Sequence, residues 1–242
     1  MKSKIDIIYE DEALLIVNKP ADLLTIPDRF ALEKPNLLTA LSEYYNDKIW
    51  VVHRLDRETS GIICFAKTEE AHKHLSQQFF NRTVDKIYLA LVDGKPGTDT
   101  GTIDAPIGPH PTLPGKMTVI RSGKPAVTDY NIIEIFKAFS LVEANIHTGR
   151  THQIRVHFKH IGHPLAIDPL YGKREAFYLS EVKHRGYQLG KEQEERPLMS
   201  RTTLHAYQLS LAHPLSEERQ TFTAPLPKDF QAVLNQLRKW GK

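Results

Sequence analysis

Short apolar runs separated by polar punctuation dominate the chain. Residues 5–9, 14–17, 62–65, 88–92, 127–135, 141–146 and 206–211 are rich in β-branched and other apolar side chains. Each run is bounded by Gly, Pro, Asp or charged residues, a pattern that predicts strands. A longer period appears in three places. Ala71, Leu75 and Phe79 recur every four residues and predict a helix over 69–82. Ile154, Phe158 and Ile161 predict a second over 151–161. Phe230, Val233, Leu234 and Leu237 predict a third that begins near Pro227. Strands outnumber helices and do not alternate with them, which favours α+β over a doubly wound parallel sheet. Two stretches read as loops. Residues 94–114 carry several Gly and Pro. Residues 173–200 place Glu192, Glu194 and Glu195 among basic residues and are expected to form an exposed charged insertion. With no repeat and no clear linker, residues 1–242 are expected to form a single domain.

Composition narrows the class. A chain of 242 residues with 40% hydrophobic and 25% charged content is ordinary for a globular protein. No apolar run reaches the roughly 18–20 residues that span a bilayer. The opening Met1-Lys2-Ser3-Lys4-Ile5-Asp6 lacks the apolar core of a signal peptide. The expected location is therefore cytoplasmic. The single cysteine, Cys64, sits in an apolar run, so an intrachain disulfide is impossible and a cysteine metal site is excluded. Its expected place is the core. The formal net charge of +3 permits an acidic partner without demanding one.

Three segments carry candidate chemistry. The first is His53-Arg54-Leu55-Asp56-Arg57-Glu58-Thr59-Ser60-Gly61, a polar stretch between two strand-like runs. A turn of this kind holds side chains at the rim of a sheet. Arg54 and Arg57 flank Asp56, and a nearby arginine keeps a carboxylate ionised. An ionised, desolvated carboxylate can act as nucleophile or general base. The same residues could equally form a turn stapled by an Asp–Arg salt bridge.

The second segment surrounds the helix at 151–161. Its spacing turns Ile154, Phe158 and Ile161 to a core and puts Thr151, Arg155 and Lys159 together on another face. Arg150 lies near the helix start, where backbone amides favour an anion. The alternative is an amphipathic helix with a solvated basic face. His147, His152, His157, His160 and His163 cluster in sequence. However, His152 and His157 are five apart and no His-Glu-x-x-His pattern appears, so no metal is expected. The third segment, Asp85-Lys86-Ile87-Tyr88-Leu89-Ala90-Leu91-Val92, is a strand bearing Tyr88. A tyrosine offers a flat ring for a base and a phenol for a proton, or it is simply a core residue.

Taken together and in this order, the segments resemble the RluA-type family of RNA pseudouridine synthases. Asn18-Lys19-Pro20-Ala21-Asp22-Leu23-Leu24 is similar to the family's first motif, and His53 to Gly61 to the second, which carries the family's aspartate. Lys86-Ile87-Tyr88-Leu89-Ala90-Leu91-Val92 resembles the tyrosine strand. Residues 148–157, Gly162-His163-Pro164-Leu165 and Asp168-Pro169-Leu170-Tyr171-Gly172 resemble the last large motif. Leu204-His205-Ala206 is similar to a late element. The resemblance implies an isomerase that converts uridine to pseudouridine in structured RNA, either transfer or ribosomal. It implies a mixed, mostly antiparallel sheet in two subdomains with flanking helices and a central cleft. Asp56 becomes the essential carboxylate, Tyr88 the platform for the target base, and Arg155 the partner that holds Asp56 ionised. Arg54 becomes the residue that fills the gap left by the flipped base. Lys19, His53 and Arg150 are expected near the RNA. The isomerisation has no net redox change and loses no group, so neither metal nor cofactor is expected. Structured RNA is the expected partner of a monomer, with no DNA and no membrane. Two places depart from the family pattern. Asp22 stands where a glycine is usual, and Ala166-Ile167 precedes Asp168 where a glycine is common. The match begins almost at Met1, so an N-terminal S4-type module is not expected.

Overall fold

The computed structural model describes residues 5–183 and 194–241. The chain forms two compact units, each assembled from two stretches. Unit 1 comprises residues 1–88 and 205–225, and unit 2 comprises 89–204 and 226–242.

Unit 1 opens with β1 (Asp6–Glu10) and β2 (Leu14–Lys19), an antiparallel hairpin. Then come α1 (Leu37–Tyr45), the two-residue β3 (Trp50–Val51), β4 (Ser60–Ala66) and α2 (Glu69–Asn81). The first residues of β5 (Asp85–Asp93) belong here, and its remainder belongs to unit 2. The strand order is β1-β2-β4-β11-β5, where β11 is Leu204–Ala212. β3 pairs with β4, and β12 (Arg219–Thr223) pairs with β11. β2 pairs antiparallel with β4, whereas β4 and β11 run parallel through His205 opposite Ser60 and Ala206 opposite Gly61. Every residue of β4 is buried. A strand covered on both faces reads as a continuous apolar run, which is why 62–65 lacks alternation. The helices start where capping chemistry allows. The Asn36 side chain accepts from Thr39 N–H, and the Thr68 side chain accepts from Ala71 N–H, each satisfying an otherwise orphan donor.

Unit 2 carries the strand order β5-β10-β9-β6, with β6 at Thr100–Asp104, β9 at Val127–Ile135 and β10 at Phe139–Ile146. β9 pairs antiparallel with both β10 and β6. A separate two-stranded ribbon, β7 (Ile107–Pro109) and β8 (Met117–Val119), projects between β6 and β9 in the chain. α3 (Gln153–His160) and α4 (Lys228–Trp240) complete the unit. Phe230, Val233, Leu234 and Leu237 are the buried face of α4, as their spacing predicts.

The expected α+β class holds: the sheet is mixed, largely antiparallel and flanked by helices. Two loop expectations change. Residues 94–114 contain β6 and β7, strands of five and three residues that Gly and Pro disguise. β7 ends in Pro109, and proline is tolerated on such an edge. In the stretch 173–200, the described ends are anchored rather than free. Phe177 and Met199 are buried and bridge each other. Arg174 joins Glu181 and Asp93. Glu192 lies outside the described residues. Also unforeseen is α1, nine residues long, which follows the proline-rich stretch 26–35.

Candidate active site

Asp56 sits in an irregular segment between β3 and β4 whose neighbours are tied on both sides. Before it, Leu55 is buried and gripped at both backbone groups by one hydroxyl. Thr25 Oγ1 accepts from Leu55 N–H at 3.2 Å and donates to Leu55 C=O at 2.9 Å. After it, the Arg57 carbonyl accepts from the Lys19 ammonium at 3.1 Å. Lys19 is fully buried at the end of β2, and its ammonium also reaches the carbonyls of Pro20 (2.9 Å) and Leu23 (2.7 Å). Three acceptors suit the three protons of an ammonium. A turn closes the segment, with Thr59 N–H donating to Asp56 C=O at 3.2 Å. The backbone on both sides of Asp56 is thus fixed by residues from the β2–α1 connection.

The rest of the nonapeptide divides by task. Arg54 and Arg57 are exposed, while Thr59 and Ser60 are buried. The Ser60 hydroxyl pairs with His205 Nδ1 at 2.9 Å, and His205 Nε2 pairs with the Ala224 carbonyl. At Gly61, φ is +115°, and an added Cβ would lie 2.1 Å from the Ala206 carbonyl oxygen. This glycine is what lets β4 and β11 approach. His53 accepts from Cys64 N–H at 3.1 Å and stacks on Phe79, with ring centroids 4.5 Å apart. Burial, assisted by the Lys86 charge, pushes its pKa down to about 3, so the ring is neutral. These contacts give His53 a packing task within unit 1.

Tyr88, the last residue of unit 1, is 9% exposed. Burial pushes its phenol pKa well above the usual value, and the negative charge of Asp56 pushes the same way. The structure therefore brings Asp56 and Tyr88 into electrostatic range of each other, although they are remote in sequence. On β5, two residues before Tyr88, Lys86 is buried near Phe79, and desolvation lowers its pKa.

Residues 13–160 match the RNA pseudouridylate synthase family. The chain belongs to this family. An uncharacterized RNA pseudouridine synthase of Bacillus subtilis (strain 168) is 40% identical over 98% of this chain and 74% of its own length. Ribosomal large subunit pseudouridine synthase D of Pseudomonas aeruginosa is 42% identical over 98% of this chain and 72% of its own length. In solved structures, human RNA pseudouridylate synthase domain containing 4 superimposes with a TM-score of 0.72 at 26% identity, covering 96% of this chain and 93% of that one. Human RNA pseudouridylate synthase domain containing 1 gives 0.71 at 29%, covering 94% and 85%. RNA pseudouridine synthases are isomerases, so the RluA-type resemblance and the expected class of enzyme both stand.

Within the synthase, unit 2 holds the remaining expected site residues. Arg155 lies on α3 and is 1% exposed, so the face shared with Thr151 and Lys159 is not a uniformly solvated one. Its guanidinium grips Asp168 as a fork, Nε to Oδ2 and Nη2 to Oδ1, both at 2.8 Å. Asp168 in turn accepts from the backbone N–H of Leu170 and Tyr171 through Oδ1. Beyond the Asp168-Pro169-Leu170-Tyr171-Gly172 motif, nothing local in the chain marks this pairing. Arg150 donates from Nε to the Pro125 carbonyl at 3.0 Å. The clustered histidines disperse to separate partners: His147 to Asp129, His152 to Tyr171, His157 to Thr128 and Ala105, and His163 to the Asp93 carbonyl. Among the described residues no group of side chains suited to a metal ion occurs, and no helix is long and apolar enough to cross a membrane. Asp22, the departure from glycine, adopts φ +61°, a left-handed conformation that aspartate tolerates better than most residues. Cys64 is buried, and burial raises its pKa.

Proposed function

We propose that this synthase isomerises specific uridines of structured RNA, ribosomal RNA of the large subunit first among them, with Asp56 as the essential carboxylate. The observation that carries the assignment is the fixation of Asp56. Its two chain neighbours are held by buried residues, and Tyr88 lies within range of its charge. The preference for ribosomal RNA rests on relatives at 37–42% identity that bear the name of large-subunit synthases.

The reaction breaks the C1′–N1 bond, turns the uracil and forms a C1′–C5 bond. The proton on C5 leaves, and N1 gains one, so nothing is oxidised. A carboxylate at the ribose has two routes, attack on C1′ or removal of a ribose proton, and both begin from ionised Asp56. Tyr88, kept protonated, serves as a flat platform and hydrogen-bond donor rather than as a phenolate. The target must leave its stack at a cost of a few kcal/mol, and exposed Arg54 is the residue assigned to the vacated space.

The test is tritium release from RNA carrying [5-³H]uridine. Wild type should release tritium from large-subunit ribosomal RNA, whereas Asp56→Ala should release none while folding normally. Equal background release by both, on ribosomal and transfer RNA alike, overturns the assignment. Release from transfer RNA only would move the substrate and keep the chemistry.

A further inference from the structure

A second binding feature lies wholly in unit 2. The β7–β8 ribbon and α3 enclose a cleft of about 200 Å³. Its rim carries His110, Lys116, Lys159 and His160, and among the described residues its lining includes no acidic one. Its wall is apolar: Met117, Val119 and Val156 pack with the Tyr171 ring against buried Ile107 and Ala126. The cleft is built rather than incidental. The Tyr171 hydroxyl accepts from Met117 N–H at 2.8 Å, tying the ribbon to the segment after α3, and pairs with His152 Nδ1 at 2.7 Å. The turn of the ribbon is closed by His110 N–H to the Lys116 carbonyl at 2.9 Å. Lys159 Nζ stands 5.7 Å from the Tyr171 ring centroid, so an ammonium borders the aromatic wall.

An apolar wall beneath a cationic rim is the chemistry of one nucleotide. The flat base or ribose lies on the wall, and the phosphate meets the ammonium groups. A volume near 200 Å³ admits the base or the ribose–phosphate of one nucleotide, with the rest outside its mouth, and excludes a duplex. Among the described residues no carboxylate lines the cleft, so it offers a place to hold RNA without a counterpart of Asp56. We infer that this cleft is an auxiliary subsite that grips one nucleotide of the substrate RNA other than the uridine being isomerised. Lys116 and Lys159 contact its phosphate. The inference rests on the proposed activity only for the identity of the ligand.

The test pairs binding with turnover on an unmodified large-subunit ribosomal RNA transcript. Lys116→Gln and Lys159→Gln should each raise Kd and KM several-fold. Each should also lower the slope of log Kd against log salt by about 0.7–1, the contribution of one phosphate contact. The double variant should lose both contributions, with kcat at saturating RNA unchanged. Lys159→Arg should restore the slope, since it keeps the charge. Lys34→Ala and Lys73→Ala, on unit 1, are the charge-matched controls and should change little. The inference is overturned if the double variant binds like wild type, or if the controls lose as much. It is also overturned if uridine monophosphate occupies the cleft while RNA affinity is untouched by the substitutions, which would make it a small-ligand site. If no RNA releases tritium with wild type, the proposed activity fails, and the binding arms still decide the subsite.

Discussion

Asp56 is placed by neighbours that do no chemistry. Lys19 is the clearest of them, because its one ammonium holds three carbonyls from two separate loops. Lys19→Met would strand those acceptors in the core, and each unsatisfied group costs about 1–3 kcal/mol. The expected result is a loss of about 3 kcal/mol or more in urea unfolding, with activity reduced even in the folded fraction. Unchanged stability would show that the loops do not depend on the lysine. At Tyr88 the elevated pKa makes a different prediction. Tyr88→Phe keeps the ring and should retain RNA affinity, with kcat falling if the phenol donates a hydrogen bond during the reaction; stopped turnover with unchanged KM is the signature to look for. Asp22→Gly should raise stability by up to about 1 kcal/mol, because glycine escapes the left-handed penalty of roughly 1–2 kcal/mol at an entropic cost of roughly 0.5–1 kcal/mol. A lower melting temperature would show that the Asp22 side chain does something the φ angle does not reveal. At this scale the motifs named Asp56 and Tyr88, and the structure brings the two within electrostatic range of each other. The sequence was silent on Thr25, whose hydroxyl clamps Leu55 thirty residues away, because nothing local marks a threonine that bonds across a fold.

Among the elements, β4 and β11 are joined by features that a sequence shows only as ordinary letters. Gly61 leaves no room for a methyl group, since a Cβ would lie 2.1 Å from a backbone oxygen. Gly61→Ala should therefore cost about 3 kcal/mol or more, through overpacking and a strained φ. Circular dichroism melts measure this directly, and a neutral result would mean that β11 can shift away. α3 complicates the reading of Arg155. Removing the arginine leaves Asp168 as a buried charge without its fork, a defect of about 3–5 kcal/mol. A dead Arg155→Ala enzyme would thus say nothing about Asp56 unless its unfolding midpoint were measured alongside. Element existence was legible wherever the period was long, as in α2, α4 and β9. It failed for β6 and β7, where three to five residues bounded by Gly and Pro cannot display a period at all. It failed also for Arg155, where periodicity assigns a face to the helix but not what covers that face.

For the whole molecule, acidity is the informative variable. His53 and His157 are both neutral in the fold, their pKa values lowered chiefly by burial. An unfolded imidazole titrates near 6.5. Above that pH both states are neutral and the stability is fully present. Below it the unfolded chain gains protons that the native one refuses, so stability falls as pH falls. The urea midpoint should be flat from pH 8 to 7 and decline from about pH 6.5 toward 5, at up to about 1.4 kcal/mol per pH unit for each histidine. A level midpoint across that range would mean that both rings titrate normally.

The division of the chain also bears on how the protein comes to exist. The polypeptide leaves unit 1 after Tyr88, returns at His205, and departs again after Pro225. During synthesis, β4 must therefore wait for its parallel partner β11, which is translated more than a hundred residues later. Unit 2 likewise lacks α4 until residues 228–240 emerge. Unit 1 closes only at Pro225 and unit 2 only with α4, so a ribosome stalled before His205 displays two incomplete cores instead of one completed domain. A stop codon placed just ahead of His205 would spare most residues of both units and still leave each of them open.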